Sequence, residues 1–188
     1  MADSIKKGTE RATIDCSMLV FRPYDTSIDP IGITSSVKLG VEAQLETSEA
    51  IKLIIKSVLK AQKPERKTIT GHKLTITNNL TTMELLPILQ GGELLKDEDE
   101  NIIGYQPIKV GEDYEPTKFI LDAYSAVMDG STVTGYEKVS YPGCTGEMAG
   151  LGSEDDVFRS TEWTINSNPG GGEAPYTLEY VDALPVIA

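Results

Sequence analysis

The side chains that most often carry chemistry are scarce in this sequence and stand apart. The single histidine, His72, sits inside the alternating run from Lys67 to Thr77, where a strand interior is expected. A catalytic imidazole needs a nucleophile and an orienting acid within reach, and neither accompanies it in sequence, so His72 reads as structural. Cys16 and Cys144 lack the paired spacing of a zinc site, and no His-x-x-x-His occurs. In a reducing compartment they read as free thiols packed as small apolar groups. Gly170-Gly171-Gly172 runs into Glu173, whose charge repels phosphate, so this is a turn rather than a phosphate cradle. Asp97 to Glu100 and Glu154-Asp155-Asp156 hold the oxygens that calcium uses, without the spacing of a calcium loop; they read as solvated tips. A carboxylate pair for sugar hydrolysis is defined by separation in space, and nothing in the sequence marks one. The lone tryptophan, Trp163, offers little platform for stacking sugars. The expectation is a protein with no catalytic, cofactor-binding or metal-binding residues, and not an enzyme.

Charge is more informative than motif. The net charge of −12 is unevenly spread. Residues 1–75 carry 12 basic and 9 acidic side chains, a balance of +3; residues 76–188 carry 5 and 20, a balance of −15. Affinity for nucleic acid comes from Lys and Arg displacing counterions on phosphates, so duplex DNA is not an expected tight ligand. Two readings of the asymmetry stand: a solvated surface that favours solubility, or two opposite surfaces that meet in an assembly. No run of about 18 apolar residues is present, so no membrane-spanning helix is expected. The opening residues Met1 to Lys7 lack an apolar run, which predicts synthesis in a cytoplasm.

The elements that must position these groups are mostly strands. Residues 12–21 are rich in β-formers, and a loop from Arg22 to Ser36 follows, broken by Pro23, Pro30 and Gly32. Val37, Leu39, Val41, Ala43 and Leu45 alternate with polar residues, which predicts a half-buried strand. Ile51, Ile54, Ile55, Val58 and Leu59 fall at helical spacing behind Ser48, a possible N-cap. Four of those five are β-branched, which favours a strand, so 51–62 is open between the two. As a strand it would pair with 67–77, making a hairpin with a basic tip from Lys60 to Lys67. Leu80 to Gly92 predicts a short helix, with Thr81 and Glu84 as a capping box, Leu80 stapled to Leu85, and Gly91 ending it. Strands are expected at 117–128, with Phe119, Leu121, Ala123 and Val127 on one face, and at 133–141 across the turn Asp129-Gly130-Ser131. Two more are expected, one around Thr161, Trp163 and Ile165 and one at 176–181. About eight strands and one helix predict a mainly β single domain, two antiparallel sheets packed as a sandwich or barrel with a flanking helix.

The order of several motifs resembles the major tail, or tail tube, proteins of long-tailed bacteriophages infecting Gram-positive bacteria. Ile69-Thr70-Gly71, Leu74-Thr75-Ile76 and Asn79 run into Glu84-Leu85-Leu86 and Leu89-Gln90-Gly91-Gly92. Gly104-Tyr105-Gln106-Pro107, the strand Phe119 to Met128, and Tyr141-Pro142-Gly143-Cys144-Thr145-Gly146 follow. Asp156-Val157-Phe158 and Tyr180-Val181-Asp182-Ala183-Leu184-Pro185 close the match, which spans roughly residues 30–188. The resemblance implies a homo-oligomer: six copies per ring, rings stacked into a tube, and inner sheets joined around a bore through which duplex DNA passes without specific binding. It implies residence in the virion tail, tape-measure and tail terminator proteins as partners, and a long hairpin reaching onto neighbours, for which Ile51 to Thr77 is the candidate. Candidate subunit-contact residues are Lys60, Lys63, Arg66 and Lys67 at its basic end, with Gly91, Gly92, Gly104 and Tyr105. Tubes of contractile tails and of type VI secretion share the implied fold, so a tube subunit of a phage-like bacteriocin or of a type VI system is a second alternative. A carbohydrate- or cell-surface-binding β-sandwich is the main alternative.

Overall fold

The computed structural model describes residues 10–152 and 154–186. The opening Met1 to Lys7 and the last two residues lie outside the described residues, as does the side chain of Val37. Strands make up 56% of the described residues and helix 5%, so the fold is mainly β, as its composition of β-formers predicts. One sheet of eight strands dominates, in the order β2-β1-β9-β10-β11-β6-β3, with β12 also paired to β10. Its members are β1 (Ala12–Pro23), β2 (Ile31–Ile33), β3 (Ser36–Ser48), β6 (Arg66–Asn78), β9 (Phe119–Asp129), β10 (Thr132–Gly146), β11 (Thr161–Ser167) and β12 (Thr177–Val181). Two small antiparallel pairs stand beside it: β4 (Ile51–Ile55) with β5 (Val58–Lys63), and β7 (Glu93–Lys96) with β8 (Ile102–Gln106). The large sheet is not closed into a barrel, and its arrangement is sandwich-like. No helix among the described residues is long and apolar enough to cross a membrane.

The long strand β10 makes the sandwich possible. Tyr136 to Ser140 pair with β12, whereas Cys144 to Gly146 pair with β11, both on the side away from β9. Between the two halves the register with β9 shifts from Tyr141 to Cys144, where Pro142 cannot donate to a ladder and Gly143 adopts φ 63°. A bulge of this kind bends a strand, so one strand can serve two layers.

The alternation read from the sequence places the core. Leu19 and Phe21 of β1, Leu74 and Ile76 of β6, Phe119, Leu121 and Ala123 of β9, and Trp163 and Ile165 of β11 are buried in one cluster. Val127 is buried as well. Leu85, Leu86, Ile88 and Leu89 complete the cluster from a 3₁₀ turn (Met83–Leu85) running into α1 (Leu86–Gln90). Pro87 falls in the first turn of α1, where its missing N–H is no loss. Gly91 ends the helix at φ 68°, its N–H donating to the Pro87 carbonyl at 3.0 Å, as the sequence predicts.

The expected capping box does not form. The Thr81 hydroxyl instead accepts from Arg159 Nη2 at 2.6 Å, and Leu80 is 65% exposed rather than stapled to Leu85. The reason lies upstream: the Asn78 side-chain oxygen accepts from the Leu80 N–H at 3.2 Å and the Ser35 hydroxyl at 2.8 Å. That local turn spends the residues expected to open the helix, which therefore begins later.

His72 is buried, edge-on to both Tyr141 and Tyr176 at 5.6 Å. Cys16 and Cys144 are unbridged. Burial pushes the Cys144 thiol and the Tyr141 phenol each up to about 12, from 9.0 and 10.0. Both folded values are raised, so their contribution is complete below the unfolded values and is lost as pH climbs toward the folded ones. We expect urea midpoints to be level from pH 7 to 8.5 and to fall between pH 9 and 11. Cys144→Ala is expected to make that fall shallower between about pH 9 and 10, where the contribution of Cys16, whose thiol burial also raises, remains; an unchanged slope in that window refutes the assignment.

Candidate assembly surface

The basic stretch expected to tip a 51–62/67–77 hairpin lies elsewhere. β3 pairs with β6 along its whole length, from Ser36↔Asn78 to Ser48↔Arg66. β4 and β5 then continue the same ribbon, from Ile51↔Lys63 to Ile55↔Val58. The result is one long arm whose tip is Lys56-Ser57, with φ of 47° and 62°. Two consecutive positive φ values make the hairpin turn that matches the twist of the strands, a job usually given to Asn-Gly. Residues 51–62 are therefore strand, not helix, but split by that turn. The helical spacing was accidental: β-branched residues at both ends of a two-residue turn happen to fall three and four apart.

The arm buries almost nothing of itself. Every residue from Leu45 to Thr70 is exposed, including Leu53, Ile54, Ile55, Val58, Leu59 and Ile69. The half-buried strand expected at 37–45 is half-buried only near its base: Leu39 packs on the core, whereas Val41 and Leu45 are exposed. A bulge at Lys60, where Leu53↔Ala61 gives way to Ile54↔Leu59, switches the facing of the ladder. Apolar side chains consequently lie on both faces near the tip. A two-stranded ribbon is marginal alone in water, and exposed apolar edges invite other chains. Four lysines (Lys52, Lys56, Lys60 and Lys63) and no acid occupy Ile51 to Pro64. Lys60 and Lys63 sit on β5, while Arg66 and Lys67 open β6 nearer the body of the domain. Lys67 is 3.9 Å from Glu65, both exposed, a pair worth little.

Gly91, Gly92, Gly104 and Tyr105 are brought together at the junction of α1 with the β7–β8 hairpin. The Tyr105 hydroxyl donates to the Gly91 carbonyl at 2.5 Å. Gly92 has φ 83°, and a Cβ there would collide with the Gln106 carbonyl. Gly104 leaves room for Leu95, whose Cδ1 would stand 3.4 Å from an added Cβ. Gly91 and Gly92 line an open groove of about 590 Å³ with Ile28, Pro87, Ile88, Leu94 and Ile108. Glu84, Glu112, Asp113 and Glu115 rim it, and no basic residue lines it among the described residues. The loop carrying the last three acids is tied down by Tyr114, whose hydroxyl lies 3.0 Å from the Leu89 carbonyl and 2.5 Å from that of Gly146.

The β7–β8 hairpin was missed by sequence reasoning, which saw only its acidic tip. Asp97 organises that tip by accepting from the backbone N–H and side-chain amide of Asn101, and from the backbone N–H of Asp99, contacts that hold its carboxyl below the usual range. The signal was present in the paired Leu94-Leu95 and Ile102-Ile103 that flank it. No protein-family model and no curated protein matches the chain.

Proposed function

We propose that the chain is a structural subunit of a tail tube, closing into six-membered rings that stack around a bore for duplex DNA. The observation that carries this reading is the arm: a ribbon with apolar side chains on both faces, exposed from Leu45 to Thr70. Such a surface is stable in water when a neighbouring copy covers it. At about 3.3 Å per residue, Leu45 to Lys56 reaches about 40 Å, against a radius of gyration of roughly 16 Å for a compact chain of this length. The arm is therefore long enough to cross the flank of an adjacent subunit. The motif order that resembles tail tube proteins supplies the ring and the bore. The acidic balance of residues 76–188 suits a wall past which DNA slides without sticking, since retention requires Lys or Arg on phosphates.

Purified protein at high concentration is expected to give sixfold rings or tubes in negative-stain electron microscopy, and no retarded duplex in a mobility-shift assay at physiological salt. Particles without ring symmetry, or micromolar DNA binding that weakens steeply with salt, contradict the reading.

A further inference from the structure

We propose that the groove between α1 and the β7–β8 hairpin is the receptor for the β4–β5 tip of a neighbouring copy, an inference that rests on the assembly reading above. Two independent features of the same chain match. The tip presents Ile54, Ile55, Val58 and Leu59 with four lysines and no acid. The groove presents Ile28, Pro87, Ile88, Leu94 and Ile108 beneath four acids and no base among the described residues. An apolar centre inside a charged rim of opposite sign is the anatomy of a specific contact: the centre contributes affinity and the rim sets partner and register. The two glycines explain why the groove is open. A side chain at Gly91 would meet Ile108, with an added Cβ 2.7 Å from its Cδ1, and one at Gly92 would strike the backbone of β8. The tied-down Tyr114 keeps the acidic loop at the rim without the partner.

Charge exchange tests the match. Glu84, Glu112, Asp113 and Glu115 are all exposed, as are Lys52, Lys56, Lys60 and Lys63; Glu112 accepts the Lys109 N–H at 3.3 Å within the rim loop, and neither set packs in the core. One variant carries the four lysines as Glu and the other carries the four acids as Lys. Each alone is expected to assemble about tenfold more weakly or worse in sedimentation. Mixed one to one they recover association, because the Glu tip of the first fits the Lys groove of the second. Failure to recover on mixing overturns the proposal. A groove variant that assembles like the parent also overturns it while leaving the assembly role of the arm intact, provided the arm variant stays defective. An arm variant that assembles like the parent removes both.

Cross-linking gives a second readout if either charge variant misfolds. A chain with Leu59→Cys mixed with a chain with Thr117→Cys is expected to give cross-linked dimers with a short bismaleimide. Neither native thiol competes well, since burial raises both Cys16 and Cys144 above the ordinary thiol range. Absence of the mixed dimer in assembled material, or a Leu59→Cys link only to its own chain, overturns the assignment of the groove.

Discussion

Replacing Ile54, Ile55, Val58 and Leu59 by Ser is expected to dissolve the assembly while leaving the isolated domain as stable as the parent. These side chains are 59%, 49%, 52% and 52% exposed in the single chain. They lend the domain's own core nothing, and surface changes away from the core usually stay within about 0.5 kcal/mol. Against a neighbour they count fully. Burying an aliphatic side chain from full exposure stabilises by about 1.5–3 kcal/mol, and these have roughly half of that still to gain, or about 1 kcal/mol each. Four together amount to about 4 kcal/mol per contact, close to a thousandfold in the equilibrium constant. The check pairs sedimentation for assembly with urea unfolding for the domain. Loss of more than about 2 kcal/mol of domain stability would place these residues in a core rather than on an interface.

The second large effect concerns stability. Asp122 lies on β9 with its side chain only 3% exposed, and Arg22 of β1 grips it through Nε at 2.6 Å and Nη2 at 3.0 Å. The Ser140 hydroxyl of β10 donates to the same carboxylate. One buried charge thus ties three neighbouring strands, and the carboxylate beside it pushes the Arg22 guanidinium up from its ordinary value. Arg22→Ala strands a carboxylate away from water. Stranding a fully buried partner costs about 3–5 kcal/mol, and the 42% exposure of the Arg22 side chain lets some water reach the site, so about 2–3 kcal/mol is expected. Asp122→Ala costs less, since Arg22 can turn toward solvent. Urea midpoints for both single variants and the double settle it: the double should be more stable than Arg22→Ala alone. Equal costs for the two single changes would mean that the ion pair is a surface contact and not a buried one.

Where a strand packs on one side and is more open on the other, its parity is written in its residues, and Trp163 and Ile165 of β11 could be placed from the sequence; Phe119, Leu121 and Ala123 of β9 were legible too, although Asp122, Tyr124 and Ala126 bury that strand's other face as well. The arm defeats that logic because it packs on nothing within its chain. Its apolar residues flank a two-residue turn, and that placement is what makes their spacing imitate a helix. The split at Lys56-Ser57 carries no glycine or asparagine to announce a turn, and the basic residues marked the arm while misplacing its tip by several residues. The 3₁₀ entry to α1 was hidden for another reason: Thr81 and Glu84 have capping chemistry, but Asn78 and Arg159 claim the local contacts first. Of the proposed contact residues, the glycines were visible as conformational markers. Their common groove depends on the β7–β8 pairing, a long-range fact that no local pattern carries.

Amide hydrogen exchange across residues 45–70, at concentrations below and above assembly, bears most directly on the claim that a neighbouring copy covers the arm. The prediction is fast exchange throughout the arm in dilute protein and protection by about tenfold or more in the assembled form, while β9 and β11 stay protected in both. Fast exchange of the arm in assembled material, or protection already complete in a dilute monomer, contradicts it.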